Sequence, residues 1–499
     1  MIDRILQQLT YNPDEPLIFS SGLFLMLFLG FTFCYMLMQH TRTLRLLFVT
    51  MFSYYFYYKS SGFYFFLLAI VTLSDFLIAQ RIATLKGRAT DSSKPTMLNA
   101  KLLVVLSLLI DLGLLCYFKY TNFFAGMWSQ MVGSNFQPWD IFLPVGISFF
   151  TFQSMSYVID VYRGDLKPLP SMLDYAFYVS FFPQLVAGPI VRARDFAPQI
   201  RKPLEITNEM FARGVFFIII GLFKKAVISD YISLNFVDRI FDNPSLYSGV
   251  ENLLGAYGYA MQIYCDFSGY SDMAIGIALL LGFRFPMNFN APYTSVSITD
   301  FWRRWHISLS SWIRDYIYIS MGGNRKGKVR QYVNLIVTML LGGLWHGASL
   351  NFVAWGGMHG VALAIHKWTR ENLFHHDKHY ISHGLRRVGA VVLTFHFVVF
   401  CWIFFRNHTF EASWTMISKV ITDFHPELFT QVVGGYWEVF ALILFGYLTH
   451  FIPQKWCDAC VTLIQRGGVV LAAAAIAAVI YIVIQVKSSE IQPFIYFQF

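Results

Sequence analysis

The sequence predicts an all-α polytopic membrane protein, and three observations carry that expectation. Of 499 residues, 56% are hydrophobic, 18% aromatic and only 13% charged, with a mean hydropathy of +0.50. That balance is too apolar for a water-soluble domain of this length. Segments free of Asp, Glu, Lys and Arg recur from end to end: 16–41, 60–74, 120–139, 141–159, 175–191, 331–366, 388–405, 439–454 and 467–486. Runs near 102–118, 211–229 and 252–283 are interrupted by one to three charges each. At about 20 helical residues per crossing, these amount to roughly ten to thirteen membrane segments. Finally, the runs are too long for barrel strands, and in lipid every backbone group needs an internal partner, so the segments are helices.

Taken in chain order, the N-terminus MIDRILQQLTYNPDEP has acids before the first apolar run and no small-residue cleavage pattern. This predicts a first transmembrane helix and no removable signal. Basic residues then set the orientation. The connector 80–101 carries Arg81, Lys86, Arg88, Lys94 and Lys101, and the segment 39–46 carries Arg42 and Arg45, whereas the turn near 59 and the stretch 119–140 hold one Lys each. The expectation is a cytoplasmic 80–101 loop and an extracytoplasmic N-terminus. The formal net charge of +9 reflects this bias, and no basic domain exists that would hold nucleic acid.

The stretch 261–286, MQIYCDFSGYSDMAIGIALLLGFRFP, places Asp266 and Asp272 in an otherwise apolar run with Tyr264, Ser268, Tyr270 and Ser271. Buried carboxylates must be paired, hydrogen-bonded or protonated. The expected roles are to orient a histidine, pair with an arginine or cap a broken helix. The stretch 299–331 reads as an interfacial amphipathic helix, with Phe301, Trp305, Leu309, Trp312 and Tyr316 on one face. Residues 300–330 hold seven basic and two acidic side chains, a net +5. Arg303, Arg304 and Lys326 suit either anionic lipid headgroups or a phosphate-bearing donor, with His306 set among the arginines.

The uncharged run 331–366 is 36 residues long, about 54 Å as one helix at 1.5 Å per residue. It is therefore predicted to break, at glycines 342, 343, 347, 356 and 357. Broken backbone at membrane depth is tolerated where it lines a cavity or is buried in protein. Within it, Gly343-Leu-Trp-His346-Gly347 and Gly356-Gly-Met-His359-Gly360 repeat the G-x-x-x-G spacing that lets helices approach closely. The residues alone leave His346 between interhelical packing and function, because an intramembrane ionisable group is costly and tends to mark a substrate path.

Several chemistries are disfavoured. No G-x-S-x-G hydrolase elbow occurs, and the residues five after His306 and His346 are Ser311 and Asn351, so there is no H-x-x-x-x-D. His346 and His359 are thirteen apart, unlike the i, i+4 pairs of metal sites, and no metal is expected. His375 and His379 have that spacing in the polar connector 367–387, where a solvated loop is the simpler reading. The six cysteines are scattered and imply no disulfide framework, with Cys457 and Cys460 a C-x-x-C outside any strand-turn-helix context. A transporter or flippase would also show many spans and central polar groups, but no pair of matching half-sequences is present.

FWRRWHISLSSWIRDYIYI, LLGGLWHGASLNFVAWGGMHG, YCDFSGYSDMAIG and the terminal PFIYFQF together resemble the membrane-bound O-acyltransferase family, in particular its bacterial branch of alginate O-acetylation and teichoic-acid D-alanylation proteins. The resemblance covers most of the chain, strongest over about 140–360. It implies one integral-membrane domain over 1–499 with a C-terminal aromatic tail at 491–499, folded as a ring of helices with re-entrant and interfacial elements around a central tunnel. It implies an O-acyltransferase of the bacterial inner membrane that moves an acyl group, acetyl above all, from acetyl-CoA or an acyl carrier protein thioester toward an extracytoplasmic polysaccharide, with no bound cofactor. D-alanyl, peptidoglycan or cellulose transfer would use the same chemistry. By resemblance His346 is the catalytic base and His306 the second marker residue, with Asp266, Asp272, Tyr264, Trp345 and Asn351 in support. The implied partners are a periplasmic or membrane-anchored acetyltransferase and membrane lipids. Tyr496 would act as an acyl relay in the tail.

Overall fold

The computed structural model describes residues 7–13, 15–88, 94–373, 384–486 and 494–495, which are helical with intervening turns and without a strand. Among the described residues, four stretches are long and apolar enough to cross a membrane: Arg42–Gly87, Met97–Val132, Gly384–Arg406 and Gln454–Val486. A fifth candidate is the pair Pro426–Gly435 and Trp437–Thr449, bent by 93°. Of the other apolar runs, 252–283 lies largely in one continuous 32-residue helix, Gly249–Leu280, and 331–366 is interrupted after His346. The surface they share is greasy, with Leu29, Phe33, Leu109, Leu393 and Val470 all exposed, as suits a chain whose solvent is lipid.

The described residues divide into two compact units, the first holding those up to Gly214 together with Met273–Pro286. Its helices begin with α1 (Gly22–Leu37), whose N-cap Ser21 accepts the Phe24 N–H at 3.1 Å. It satisfies one of the donors a helix start leaves orphaned. Next come α2 (Arg42–Ser61), α3 (Phe65–Arg88), α4 (Lys94–Leu115), α5 (Ile147–Arg163) and α6 (Met172–Ser180). Gly62, at φ 59°, ends α2, a conformation that costs glycine nothing. The core of this unit is aromatic: Phe19, Phe24, Phe31, Phe52 and Phe56 surround Phe182 at ring separations of 5.1–6.4 Å. Among the membrane-spanning helices the fully buried Ser107 donates to the equally buried Asp75 at 2.7 Å.

The second unit comprises Val215–Asp272 with the described residues of Met287–Ile495. α7 (Asn208–Leu222) and α8 (Gly249–Leu280) belong partly to each unit. Within this one follow α9 (Ile298–Arg304), α10 (Ile307–Ile313), α11 (Lys328–His346), α12 (Leu350–Asn372), α13 (Gly384–Arg406), α14 (Phe410–Thr422), α15 (Trp437–Thr449) and α16 (Gln454–Val486). The uncharged run 331–366 breaks as its length predicts: α11 ends at His346, Gly347 is extended at φ −163° and ψ 155°, and α12 starts at Leu350.

Glycines draw α11 and α12 together. A Cβ on Gly343 would lie 3.1 Å from the Gly356 Cα and nearer still to the Phe352 carbonyl oxygen, and one on Gly360 would lie 2.8 Å from the Ile336 Cα. In lipid, helix association draws on such close packing because apolar burial gives no net drive. A Gly356→Leu chain is therefore expected to separate the pair and lower the thermal midpoint of the detergent-solubilised protein, whereas Gly389→Ala, where no atom lies within 4 Å of the added carbon, serves as the mild comparison. Equal midpoints for Gly356→Leu and the wild type would show that the seam is not needed.

The stretch 299–331 departs from its expected form. It is not one interfacial helix: the backbone breaks between α9 and α10 at His306, and Phe301, Trp305, Leu309, Trp312 and Tyr316 are all buried in the protein. The apolar residues are buried together as their spacing predicts, but protein side chains cover them instead of the membrane interface.

Candidate active site

His346 is the last residue of α11 and is 3% exposed. Its ring packs edge to face against Trp345 at 5.0 Å, Trp355 at 5.1 Å and Phe405 at 5.1 Å. The neighbouring glycine is required by this packing, since a Cβ on Gly347 would collide with the Phe352 ring. The two aromatic walls come from α12 and α13, so the break after His346 and the return of α12 build the cage around it.

His306 is fully buried and holds φ 42° and ψ 56°, a left-handed conformation uncommon outside glycine and costly unless its surroundings enforce it. The enforcement comes from residues 288–290. The Ile307 N–H donates to the Asn288 carbonyl at 2.9 Å, and the Asn290 N–H donates to the Arg304 carbonyl at 2.9 Å, so both flanks of His306 are tied to one short segment. Ser297 caps α9 by accepting the Asp300 N–H at 3.2 Å. The imidazole lies against Phe267 at 4.6 Å and Trp345 at 6.2 Å. Trp345 therefore contacts both histidines, and the two expected catalytic residues share one aromatic enclosure.

The other expected residues divide clearly. Asp266 accepts an ion pair from Lys225 at 2.7 Å, and Lys225 also reaches Asp230 at 2.7 Å; Asp272 pairs with Lys224 at 2.7 Å. Both carboxylates thus find lysines in the π-helical segment Phe223–Ser229 that continues α7, and close by a Cβ on Gly269 would lie 2.7 Å from the Gly221 carbonyl. Tyr264 lies 4.5 Å from the His450 ring, with the Lys224 ammonium 5.4 Å from its own ring centre. Asn351 donates to the Asn407 carbonyl at 2.7 Å and to Ser413 at 3.3 Å, fastening α12 to the turn between α13 and α14. Arg304 pairs with Asp300 at 3.0 Å, while Arg303 and Lys326 are exposed. None of these three basic residues is buried with the histidines.

Tyr496, and with it His375 and His379, lies outside the described residues. Its two predecessors are placed. Phe494 is fully buried, 5.7 Å from Phe267 and 4.8 Å from Tyr270, and the Ile495 N–H donates to Asp266 at 2.8 Å. Phe267 is the ring that packs on His306, so Phe494 is held one side chain from that histidine. Sequence reading missed Asn288, Lys224, Lys225 and the Trp302 indole that donates to His359 at 3.3 Å. The consecutive lysines inside an apolar run were the visible signal for two of them.

The family model for membrane-bound O-acyltransferases matches residues 17–380. The chain belongs to the membrane-bound O-acyltransferase family. It is accordingly an O-acyltransferase and a multi-pass membrane protein. It is 41% identical over 412 residues to a Pseudomonas syringae protein named "Probable alginate O-acetylase AlgI", covering 81% of this chain and 75% of that one. It is 38% identical over 347 residues to the peptidoglycan O-acetyltransferase of Helicobacter pylori, covering 64% and 65%. It is 32% identical over 284 residues to the teichoic acid D-alanyltransferase of Bacillus subtilis, covering 54% and 69%. This family membership is the expectation that the motifs around His306 and His346 raised.

Proposed function

We propose that this O-acyltransferase carries an acetyl group from a cytoplasmic thioester to hydroxyls of an extracytoplasmic polysaccharide such as alginate, with His346 as general base. The observation that carries the reading is the placement of His346 at a helix break, buried among Trp345, Trp355 and Phe405, with His306 on the same Trp345. Similarity to a protein named for alginate acetylation supports the polymer. Similarity to a peptidoglycan O-acetyltransferase keeps that acceptor as the second reading.

A hydroxyl is a poor nucleophile at neutral pH, and a neutral imidazole within hydrogen-bond reach removes its proton as it attacks. The O–H bond breaks toward His346, the oxygen bonds the thioester carbonyl carbon, the C–S bond breaks, and the imidazolium returns the proton to the departing thiolate. Aromatic walls exclude the water that would otherwise hydrolyse the acyl group. The enzyme lies in the bacterial inner membrane with its N-terminus outside, so that the donor enters from the cytoplasm. Where the attacking hydroxyl is that of Tyr496, a periplasmic or membrane-anchored acetyltransferase cleaves the resulting ester, passing the acyl group to a polymer hydroxyl whose proton returns to the phenol oxygen.

Donor choice is tested with the purified chain in nanodiscs, comparing acetyl-CoA with an acetylated acyl carrier protein. If Arg303 and Lys326 meet the donor's phosphates, Arg303→Gln with Lys326→Gln raises the donor KM several-fold and flattens its dependence on salt. Unchanged donor kinetics would assign these residues to lipid headgroups. Release of intact donor on the far side without ester formation would favour a transporter.

A further inference from the structure

We infer that Asn288 is a positioning residue for the transfer proposed above: its side-chain amide holds His306 as the tautomer protonated on Nδ1, so that Nε2 offers a lone pair to substrate. The inference rests on that reading of the site for its catalytic consequence, and on hydrogen-bond polarity for the tautomer itself.

The polarity follows from the one donor whose direction is fixed. The backbone N–H of Ser308 donates to the Asn288 side chain at 3.2 Å, and a backbone N–H has only its hydrogen to offer, so the receiving atom is the amide oxygen and not the NH2 group. Two further bonds agree. The Ser308 hydroxyl donates to that oxygen at 2.9 Å, and the opposite end of the amide donates to the Ser271 hydroxyl at 3.0 Å. Thus the orientation of Asn288, ordinarily an assignment made from such networks, is set from both ends.

His306 Nδ1 lies 3.2 Å from the same oxygen. Were Nδ1 bare, two lone pairs would face each other across that distance. Nδ1 therefore carries the hydrogen and donates it. A neutral imidazole has only one, which leaves Nε2 an acceptor. The Ser308 hydroxyl also lies 3.4 Å from Nδ1, but its shorter bond is to the Asn288 oxygen.

His306 Nε2 is buried and meets no hydrogen-bond partner among the described residues. A buried acceptor left without a donor costs free energy, and a substrate O–H or N–H arriving at Nε2 removes that cost. Among the described residues, the ring contacts and hydrogen bonds of His306 come from Phe267, Phe289, Trp345, Asn288 and Ser308, none of them titratable, so no charged group there competes with the amide for control of the imidazole. Asn288 also grips the main chain, since its carbonyl accepts the Ile307 N–H. One residue thereby fixes the strained backbone and the proton of the same histidine. The substrate class implied is the hydroxyl-bearing acceptor, or the amide-bearing arm of the thioester donor.

The tautomer is read without activity. The full-length protein labelled with 15N-histidine in nanodiscs gives distinct signals for protonated and bare ring nitrogens, and a His306→Gln chain identifies the pair that belongs to His306. The wild type is expected to show hydrogen on Nδ1; hydrogen on Nε2 would overturn the inference. Asn288→Ala is expected to admit the other tautomer and to lower kcat by at least about tenfold with little change in KM, toward the roughly 10⁴-fold cost of a misassigned tautomer in serine proteases. Asn288→Asp places a carboxylate on Nδ1–H, favours the imidazolium and moves the acid limb of the pH–rate profile to higher pH. A spectrum and pH profile unchanged in both variants would contradict the assignment. If His346→Ala kept its activity, the general-base reading would fall while the spectrum still decided the tautomer.

Discussion

Replacing His346 with Ala is expected to lower acyl transfer by at least the 10²–10⁴-fold that general-base catalysis contributes, about 3–5 kcal/mol of transition-state stabilisation at 1.36 kcal/mol per tenfold. Expression and membrane insertion should be unaffected. His346 is the final residue of α11, so the substitution interrupts no helix, and the close packing of α11 on α12 runs through Gly343, Gly356 and Gly360 instead. The change does leave a space between Trp345, Trp355 and Phe405, which makes His346→Gln the companion variant. Purified protein at wild-type yield with ester formation near background is the expected result for both. Near-normal product acetylation would remove the general base from His346. His306→Ala should also be strongly impaired. His359→Ala should act chiefly through folding yield, since His359 is fully buried and its Nδ1 accepts the Trp302 indole hydrogen.

The second large effect is expected at the tail. Tyr496→Phe keeps the ring and removes only the hydroxyl, and polymer acetylation should be lost while donor binding persists. Ile495 is hydrogen-bonded to Asp266, and Phe494 packs on Phe267, which in turn packs on His306. Tyr496 follows these two residues directly in the chain. Its ordinary pKa of about 10 puts it in range of an imidazole base, and its phenolate leaves more readily than a sugar alkoxide. An acyl adduct on wild-type Tyr496, found by mass spectrometry, would support a covalent relay. Full polymer acetylation by Tyr496→Phe would eliminate it.

What the sequence disclosed follows the range over which each feature is determined. The break after His346 was legible because a 36-residue uncharged run exceeds a membrane crossing and its glycines mark where it bends. The close packing of α11 and α12 was legible for the same local reason, the spacing of Gly343, Gly347, Gly356 and Gly360. The break at His306 was not. Periodicity through Phe301, Trp305, Leu309, Trp312 and Tyr316 suits a continuous helix, and what ends α9 is a pair of main-chain bonds from Asn288 and Asn290, which precede His306 by 18 and 16 residues. Likewise Asp266 and Asp272 read as carboxylates in need of partners, but only the folded chain shows that Lys225 and Lys224 supply them. Arg303, Arg304 and Lys326 illustrate the opposite outcome, a dense charge pattern that stays outside the buried cluster.

The central claim is that this chain makes an ester bond at His346, and does so across a membrane. The most direct measurement encloses a thioester donor labelled in its acetyl group inside proteoliposomes, with the hydroxyl-bearing polymer and its acetyltransferase partner outside. Wild-type protein is expected to place label on the polymer as base-labile ester, and His346→Ala to leave it in the enclosed thioester. Equal esterification by His346→Ala, or label emerging as intact donor from the wild type, would contradict the account.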